Sequence, residues 1–216
     1  MNSMKKLNYI FIKDTFGNCI EKPIKFNDIE FDMILLMGKK GVGKDTCGEY
    51  ISKKIGWKTF ALAKPVKDIA KIAFHLTEEQ VNDNQLKEQQ ISHLYNRTPR
   101  IIMQMIYKEL FTESLSKIFP EYGKLFFIHH MERQLDTINK SPKIIITDLR
   151  SPEYASYLKN KYKTLIIKII RNSNDAKDSH ISETEIDNFY SFDYLIENDG
   201  CLNELYSKLD LLFLKI

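Results

Sequence analysis

Along this chain, short blocks of branched apolar residues alternate with longer amphipathic stretches. Met33–Met37 (MILLM), Lys143–Asp148 (KIIITD) and Thr164–Ile170 (TLIIKII) are apolar enough to be strands covered on both faces. Trp57–Leu62 and Tyr194–Glu197 read as shorter strands. Between them the period lengthens to that of a helix. Asp45–Ile55 ends at Gly56, and Lys64–Leu76 gathers Val66, Ile69, Ala70, Ala73 and Phe74 on one face. Thr77, followed by Gln80, has the form of an N-cap. Pro99 suits the first turn of a helix running from Arg100 to about Ile118, with Ile102, Met105, Ile106, Leu110 and Leu115 inward and Pro120 closing it. Further helices are expected over Lys124–Asn139, Pro152–Asn160 and Leu202–Leu214, with polar, irregular chain over Asn82–Arg100 and Arg171–Asn188. Strands alternating with helices predict a parallel sheet with helices on both faces.

Ahead of this pattern, Leu7–Ile12 and Cys19–Phe26 flank a turn at Asp14–Asn18 and predict a β-hairpin. The expected organisation is an N-terminal hairpin extension over residues 1–30 and one α/β domain over residues 31–216. The hairpin is expected to pack on the sheet or to serve a homodimer contact.

The first buried strand runs into GKKGVGKDT. Gly38, four residues, then Gly43-Lys44 is the spacing of a phosphate-binding loop between a strand and a helix. Glycines there let the backbone approach phosphates, successive N–H groups cradle anionic oxygens, and the helix N-terminus adds its dipole. Gly38, Gly41, Val42, Gly43, Lys44, Asp45 and Thr46 are therefore the expected nucleotide-binding residues, with Lys44 on the β- and γ-phosphates. Asp45 stands where Ser or Thr ordinarily follows the lysine. The hydroxyl that ligates Mg²⁺ is then Thr46, one residue late, or Asp45 takes part in the metal's shell. The expected fold is a P-loop NTPase fold of the α/β class.

Composition narrows the picture without changing it. The 216 residues, 43% hydrophobic and 28% charged, are those of an ordinary globular chain, and from a net charge of +3 no general claim about nucleic-acid binding follows; no direct nucleic-acid partner is expected. Cys19, Cys47 and Cys201 form no CxxC pair, which fits a reducing, cytoplasmic compartment. No secretory signal is legible at the N-terminus and no apolar run is long enough to span a bilayer, so no membrane association is expected.

Chemistry is expected at the carboxyl ends of the strands, where ligands bind in open α/β sheets. Asp148 ends the KIIITD strand and is expected to hold Mg²⁺ or its water shell, with Arg150 two residues on. Arg97 and Arg100 flank a turn, where guanidinium forks can hold an acceptor phosphate. Arg171 is placed for a lid cation, and His180 for a base or phosphate contact. The adjacent His129 and His130 fall on different helix faces and read as structural.

Taken together, GKKGVGKDT, FALAKPVKDIA (Phe60–Ala70), RTPRIIMQ (Arg97–Gln104), IITDLRSPEYA (Ile145–Ala155), HISE (His180–Glu183) and FDYLIENDG (Phe192–Gly200) resemble the bacteriophage-type deoxynucleoside monophosphate kinases, also carried by large DNA viruses. The resemblance covers Ile34 to the C-terminus. It implies a P-loop kinase that moves the γ-phosphoryl of ATP, with Mg²⁺, to a deoxynucleoside monophosphate. By position, Gly41, Gly43, Lys44, Asp45 and Thr46 would hold ATP, Asp148 and Arg150 match the family's Asp-x-Arg, and Arg97, Pro99, Arg100 and Gln104 match its substrate-side Thr-Pro-Arg segment. After Gln104 the family's Gly-Thr-Glu stretch and following arginine are replaced by Tyr107–Thr112, and Phe126 or Phe127 stands where the family carries tryptophan. These departures bear on base selectivity and leave the donor loop untouched.

The expected chemistry is direct in-line transfer without a general base, since a phosphate oxyanion is already the nucleophile. Lys44, Arg100, Arg150 and Asp148 are the candidate catalytic residues, and Arg97, Gln104 and His180 further acceptor contacts. Two alternatives stay open. One is a kinase of another small phosphorylated acceptor such as phosphomevalonate, and the other a nucleotide-binding regulator without transferase activity.

Overall fold

Met33–Met37 is buried at every position because it lies in the middle of a sheet. The structure, a computed structural model, describes residues 9–13, 19–23, 30–136, 142–171 and 186–213. Its first strands are β1 (Tyr9–Lys13) and β2 (Cys19–Pro23); the rest of the expected Leu7–Ile12 and Cys19–Phe26 lies outside the described residues. They pair antiparallel, Phe11 opposite Glu21, as a separate two-stranded sheet.

The main sheet holds β3 (Met33–Met37), β4 (Lys58–Phe60), β5 (Ile144–Leu149), β6 (Thr164–Ile170) and β7 (Tyr194–Glu197) in the order β4-β5-β3-β6-β7. Every pairing is parallel. This is the α/β P-loop fold. β3 sits between strands reached by crossovers in opposite senses, so the connections at its carboxyl end part and leave a crevice, the usual place for a ligand.

Side chains alternate across β3, and each set feeds its own core. Met33, Leu35 and Met37 pack with α2 (Lys64–Phe74), α4 (Pro99–Met105), α7 (Phe126–Asp136) and α8 (Pro152–Lys161). Ile34 and Leu36 pack with α1 (Lys44–Ile55) and α9 (Leu202–Phe213) on the other face. The short α3 (Glu78–Asn82) starts with the predicted cap: Gln80 N donates to the Thr77 hydroxyl at 3.2 Å, and Thr77 N to Gln80 Oε1 at 2.8 Å. Among the described residues no helix is long and apolar enough to cross a membrane.

Three expectations need correction. The stretch from Asn82 to Arg100 is not wholly irregular: it contains single 3₁₀ turns at Leu86–Glu88 and Ser92–Leu94. Ala73, expected inward, is exposed in the last turn of α2. The helix expected from Arg100 to Ile118 keeps its extent but not its phase. α4 gives way at Ile106 to a π-helix over Ile106–Ser114, which returns to α form as α5 (Leu115–Ile118), followed by α6 (Pro120–Gly123). Wider turns after Ile106 move the inward stripe by one residue, so Phe111 is buried and Leu110 is 49% exposed; before them Ile102 and Ile106 are buried and Met105, expected inward, is 55% exposed.

Candidate active site

The loop leaving β3 is wedged against the ends of its neighbours. A Cβ on Gly38 would collide with the Ile169 carbonyl, and one on Gly43 would lie 2.6 Å from Asn198 Nδ2. Gly43, at φ 97°, is also the N-cap of α1 and offers no side chain to the first-turn N–H groups. These donors stay available for an anion, as the motif requires. Lys44 is buried and its ammonium donates to the Lys39 carbonyl at 2.6 Å, folded inside the loop it serves. Gly41 and Asp45 are exposed on the rim, and Thr46 is partly buried.

Asn198, just beyond β7, closes the loop from the far side. Its Nδ2 donates to the Val42 carbonyl at 2.9 Å, and its own N–H donates to Ile170 O at 2.8 Å. Arg171 Nε donates to the Asn198 carbonyl at 2.7 Å, so this arginine ties the ends of β6 and β7 together. Reading the sequence missed Asn198. The signal available was its place at the carboxyl end of a parallel strand within FDYLIENDG.

Asp148, near the end of β5, spends one lone pair of each oxygen on backbone: Oδ1 accepts from Leu62 N and Oδ2 from Ala63 N, each at 2.8 Å. It thereby holds the turn from β4 into α2. Burial pushes its carboxyl above the usual carboxylate range, with the two amides and then the Arg150 guanidinium pulling the other way. The remaining oxygen lone pairs of Asp148, with the Thr46 hydroxyl, are the hard donor type that Mg²⁺ takes. Among the described residues no cluster of three or more His, Cys, Asp or Glu could hold a metal by itself.

A cavity of about 290 Å³ opens beside these residues. Asp45 and Lys40 form its phosphate-loop end, and Asp148, Arg150, Arg100 and Gln104 line it further in. Its apolar wall includes Tyr107, Phe127 and Tyr154. Tyr107 and Phe127 stack with centroids 5.2 Å apart and planes 12° from parallel. Burial and then the neighbouring Tyr107 push the Tyr154 phenol well above its ordinary range.

Glu88 pairs with two of the cations that line the cavity. It accepts from Lys40 Nζ at 2.9 Å and from Arg100 Nε, which draws its carboxyl below the usual range. The other arm of Arg100, Nη2, is buried with no hydrogen-bond partner among the described residues. A buried guanidinium nitrogen without a partner, on an arginine that lines a cavity, fits a site made for an oxyanion.

The predicted residues thus divide. Arg100, Gln104, Asp148, Arg150 and Asp45 line one cavity. Arg97 does not: it is exposed, and its backbone bridges Ile91 before Thr98 caps α4. Spacing alone could not separate it from Arg100. His180 lies outside the described residues, as does most of the segment expected to form a lid. His129 faces Glu132 at 3.5 Å and His130 contacts Gln134 at 3.1 Å, in keeping with structural roles. Lys67, Lys87 and Tyr154 also line the cavity. No local pattern distinguished these from ordinary surface and core residues.

The family model for deoxynucleotide monophosphate kinases matches residues 32–105 and 95–209. A curated protein of Acanthamoeba polyphaga mimivirus, named "Putative deoxynucleotide monophosphate kinase", is 32% identical over 181 residues, spanning 82% of this chain and 93% of its own. Among solved structures, the dephospho-CoA kinase from Campylobacter jejuni is 14% identical, with a TM-score of 0.44 over 85% of this chain and 96% of its own. Shikimate kinase from Aquifex aeolicus is 13% identical, with a TM-score of 0.44 over 85% of this chain and 96% of its own.

Proposed function

Since the chain belongs to the deoxynucleotide monophosphate kinase family, we propose that it transfers the γ-phosphoryl group of ATP to a deoxynucleoside monophosphate, giving ADP and the deoxynucleoside diphosphate. The observation that carries this reading is the composition of the cavity beside the phosphate loop. Lys40, Arg100 and Arg150 line it together with the stacked rings of Tyr107 and Phe127. Such a site suits a ligand that is anionic at one end and flat at the other. A branched aliphatic phosphate would use the cations and leave the ring wall idle.

In this reading the loop amides and Lys44 hold the triphosphate, and Lys44 exchanges the Lys39 carbonyl for phosphate oxygens. Arg100 and Arg150 hold the acceptor phosphate, with Arg100 Nη2 finding there the partner it lacks among the described residues. Gln104 lies beside the acceptor, and the base rests against Tyr107 and Phe127. Thr46 and Asp148 supply oxygen donors for Mg²⁺, which when bound neutralises charge on the phosphates. The residues so placed orient two phosphates and screen their repulsion, which is most of what phosphoryl transfer asks of a protein.

The test is ADP release from Mg-ATP against dGMP, dTMP, dCMP, dAMP, their ribose counterparts and phosphomevalonate. Stimulation by one or more deoxynucleotides is expected. Stimulation by phosphomevalonate alone, or silence across the panel with ATP still bound, would overturn the reading.

A further inference from the structure

The segment between α3 and α4 has no part in the function proposed above, yet it delivers a charged side chain to the cavity. Asp83 Oδ1 accepts from Gln85 N and Leu86 N, each at 2.8 Å, and the Asp83 carbonyl accepts from Lys87 N at 3.1 Å. This knot sets the 3₁₀ turn Leu86–Glu88 and places Lys87 in the cavity wall. The charged groups around Lys87 come from four other elements: Lys40 on the phosphate loop, Asp45 on α1, Lys67 on α2 and Arg100 on α4. Glu88, adjacent in sequence, is engaged by Lys40 and Arg100, and Lys67 donates to Asn82 Oδ1 at 2.8 Å. Among the described residues the Lys87 ammonium has no hydrogen bond or ion pair of its own.

We propose that Lys87 is a further catalytic residue of this site, an ammonium that contacts the acceptor's phosphate and the phosphoryl group passing to it. The proposal rests on the kinase reading above. In the step, an acceptor phosphate oxygen forms a bond to the γ-phosphorus as the bond from that phosphorus to the β–γ bridging oxygen breaks. ADP leaves with the bridging oxygen's electron pair, and Lys87 gives up no proton. Its role is to meet negative charge that the loop cations, already engaged with Glu88 and the donor, do not cover. Without an anion, a half-buried ammonium among Lys67, Arg100 and Lys40 is repelled by its surroundings. A dianionic phosphate reverses that balance.

The same surroundings provide a readout. Burial first, then Lys67 and Arg100, hold Lys87 down to about 8; Asp45 opposes them and Lys40 adds to them. In the free protein the ammonium is charged below that pH and lost above it, so kcat/KM for the acceptor should fall as pH rises through about 8. In the complex a bound phosphate restores the charge, so kcat should hold to higher pH.

The experiment is steady-state ADP release from pH 6 to 9.5 for the wild-type protein, Lys87→Met, Lys87→Arg and the exposed control Lys58→Met. Lys87→Met is expected to lower kcat/KM at pH 7 by about 10²-fold, the usual effect of removing one transition-state donor, and to abolish the alkaline limb. Lys87→Arg should keep most of the activity and move the limb out of the measured range, and Lys58→Met should behave as wild type. A Lys87→Met protein within about threefold of wild type, or a wild-type limb that Lys87→Arg leaves in place, overturns the proposal. If Lys87→Met does not fold, the limb in wild type and its loss in Lys87→Arg decide the matter. A wild type silent towards every acceptor defeats this proposal together with the kinase reading. An active wild type with an indifferent Lys87→Met defeats this proposal alone.

Discussion

Asn198 and Val42 are 156 residues apart in sequence, yet the Asn198 carboxamide donates to the Val42 carbonyl at 2.9 Å across the carboxyl edge of the sheet. Both are buried, and the amide nitrogen lies where a Cβ on Gly43 would go. The shape of the phosphate loop therefore depends on a strand at the end of the domain. Asn198→Ala should leave a buried carbonyl unpaired and cost about 1–3 kcal/mol of stability. It should also raise the KM for ATP by about tenfold through loss of loop positioning. Thermal melting and ATP titration check the two effects separately.

Lys44 is buried, with its ammonium folded onto the backbone of the loop. Lys44→Ala should fold, because its bond to the Lys39 carbonyl is a partly buried local contact, and should reduce turnover by about 10²–10³-fold. Near-wild-type ADP release from this variant would remove the donor-site assignment.

Glu88 competes with phosphate for Lys40 and Arg100 while holding both in place. In Glu88→Gln those cations are freer to bind the acceptor but less well aimed. The expected pattern is a lower acceptor KM, by about threefold, together with a lower kcat. Initial-rate kinetics would show it; a higher KM at unchanged kcat would mean that Glu88 acts as a simple ligand-side contact.

Phe111 is the residue that the π-helix turns inward. It is 7% exposed and packs on Phe126 and Phe127 at centroid distances of 4.5 and 5.0 Å. Phe111→Ala should cost about 3–5 kcal/mol, whereas Leu110→Ala, at an exposed position the α-helical period would bury, should cost well under 1 kcal/mol. Denaturant melts of the two variants distinguish the π phase from the α phase.

Cys47 is fully buried on α1, and burial pushes its thiol up to about 12, with Lys44 opposing. Cys201 is exposed. At pH 8 an alkylating reagent should label Cys201 in the native protein and reach Cys47 only after unfolding, as peptide mapping would show.

Features with a local cause were legible in the chain of residues alone. The parallel strands at Met33–Met37 and Thr164–Ile170 stand at their expected bounds, because continuous burial demands continuous apolar side chains. α1 follows the glycine spacing, since the backbone path around Gly38–Gly43 is set by residues that touch one another along the chain. Tertiary structure decided what depends on convergence. It brought Arg100, Asp148 and Arg150 to one cavity with Lys87 from a polar segment, and left Arg97 outside, though Arg97 and Arg100 are alike in type and neighbours in spacing. It engaged both Asp148 oxygens with the amides of Leu62 and Ala63, 86 and 85 residues away. It also widened the helix after Met105 into π turns, so that Phe111 rather than Leu110 meets Phe126 and Phe127. Periodicity carries no information about which distant segments share a cavity, and a phase change of one residue arises from packing against partners that the local sequence does not contain.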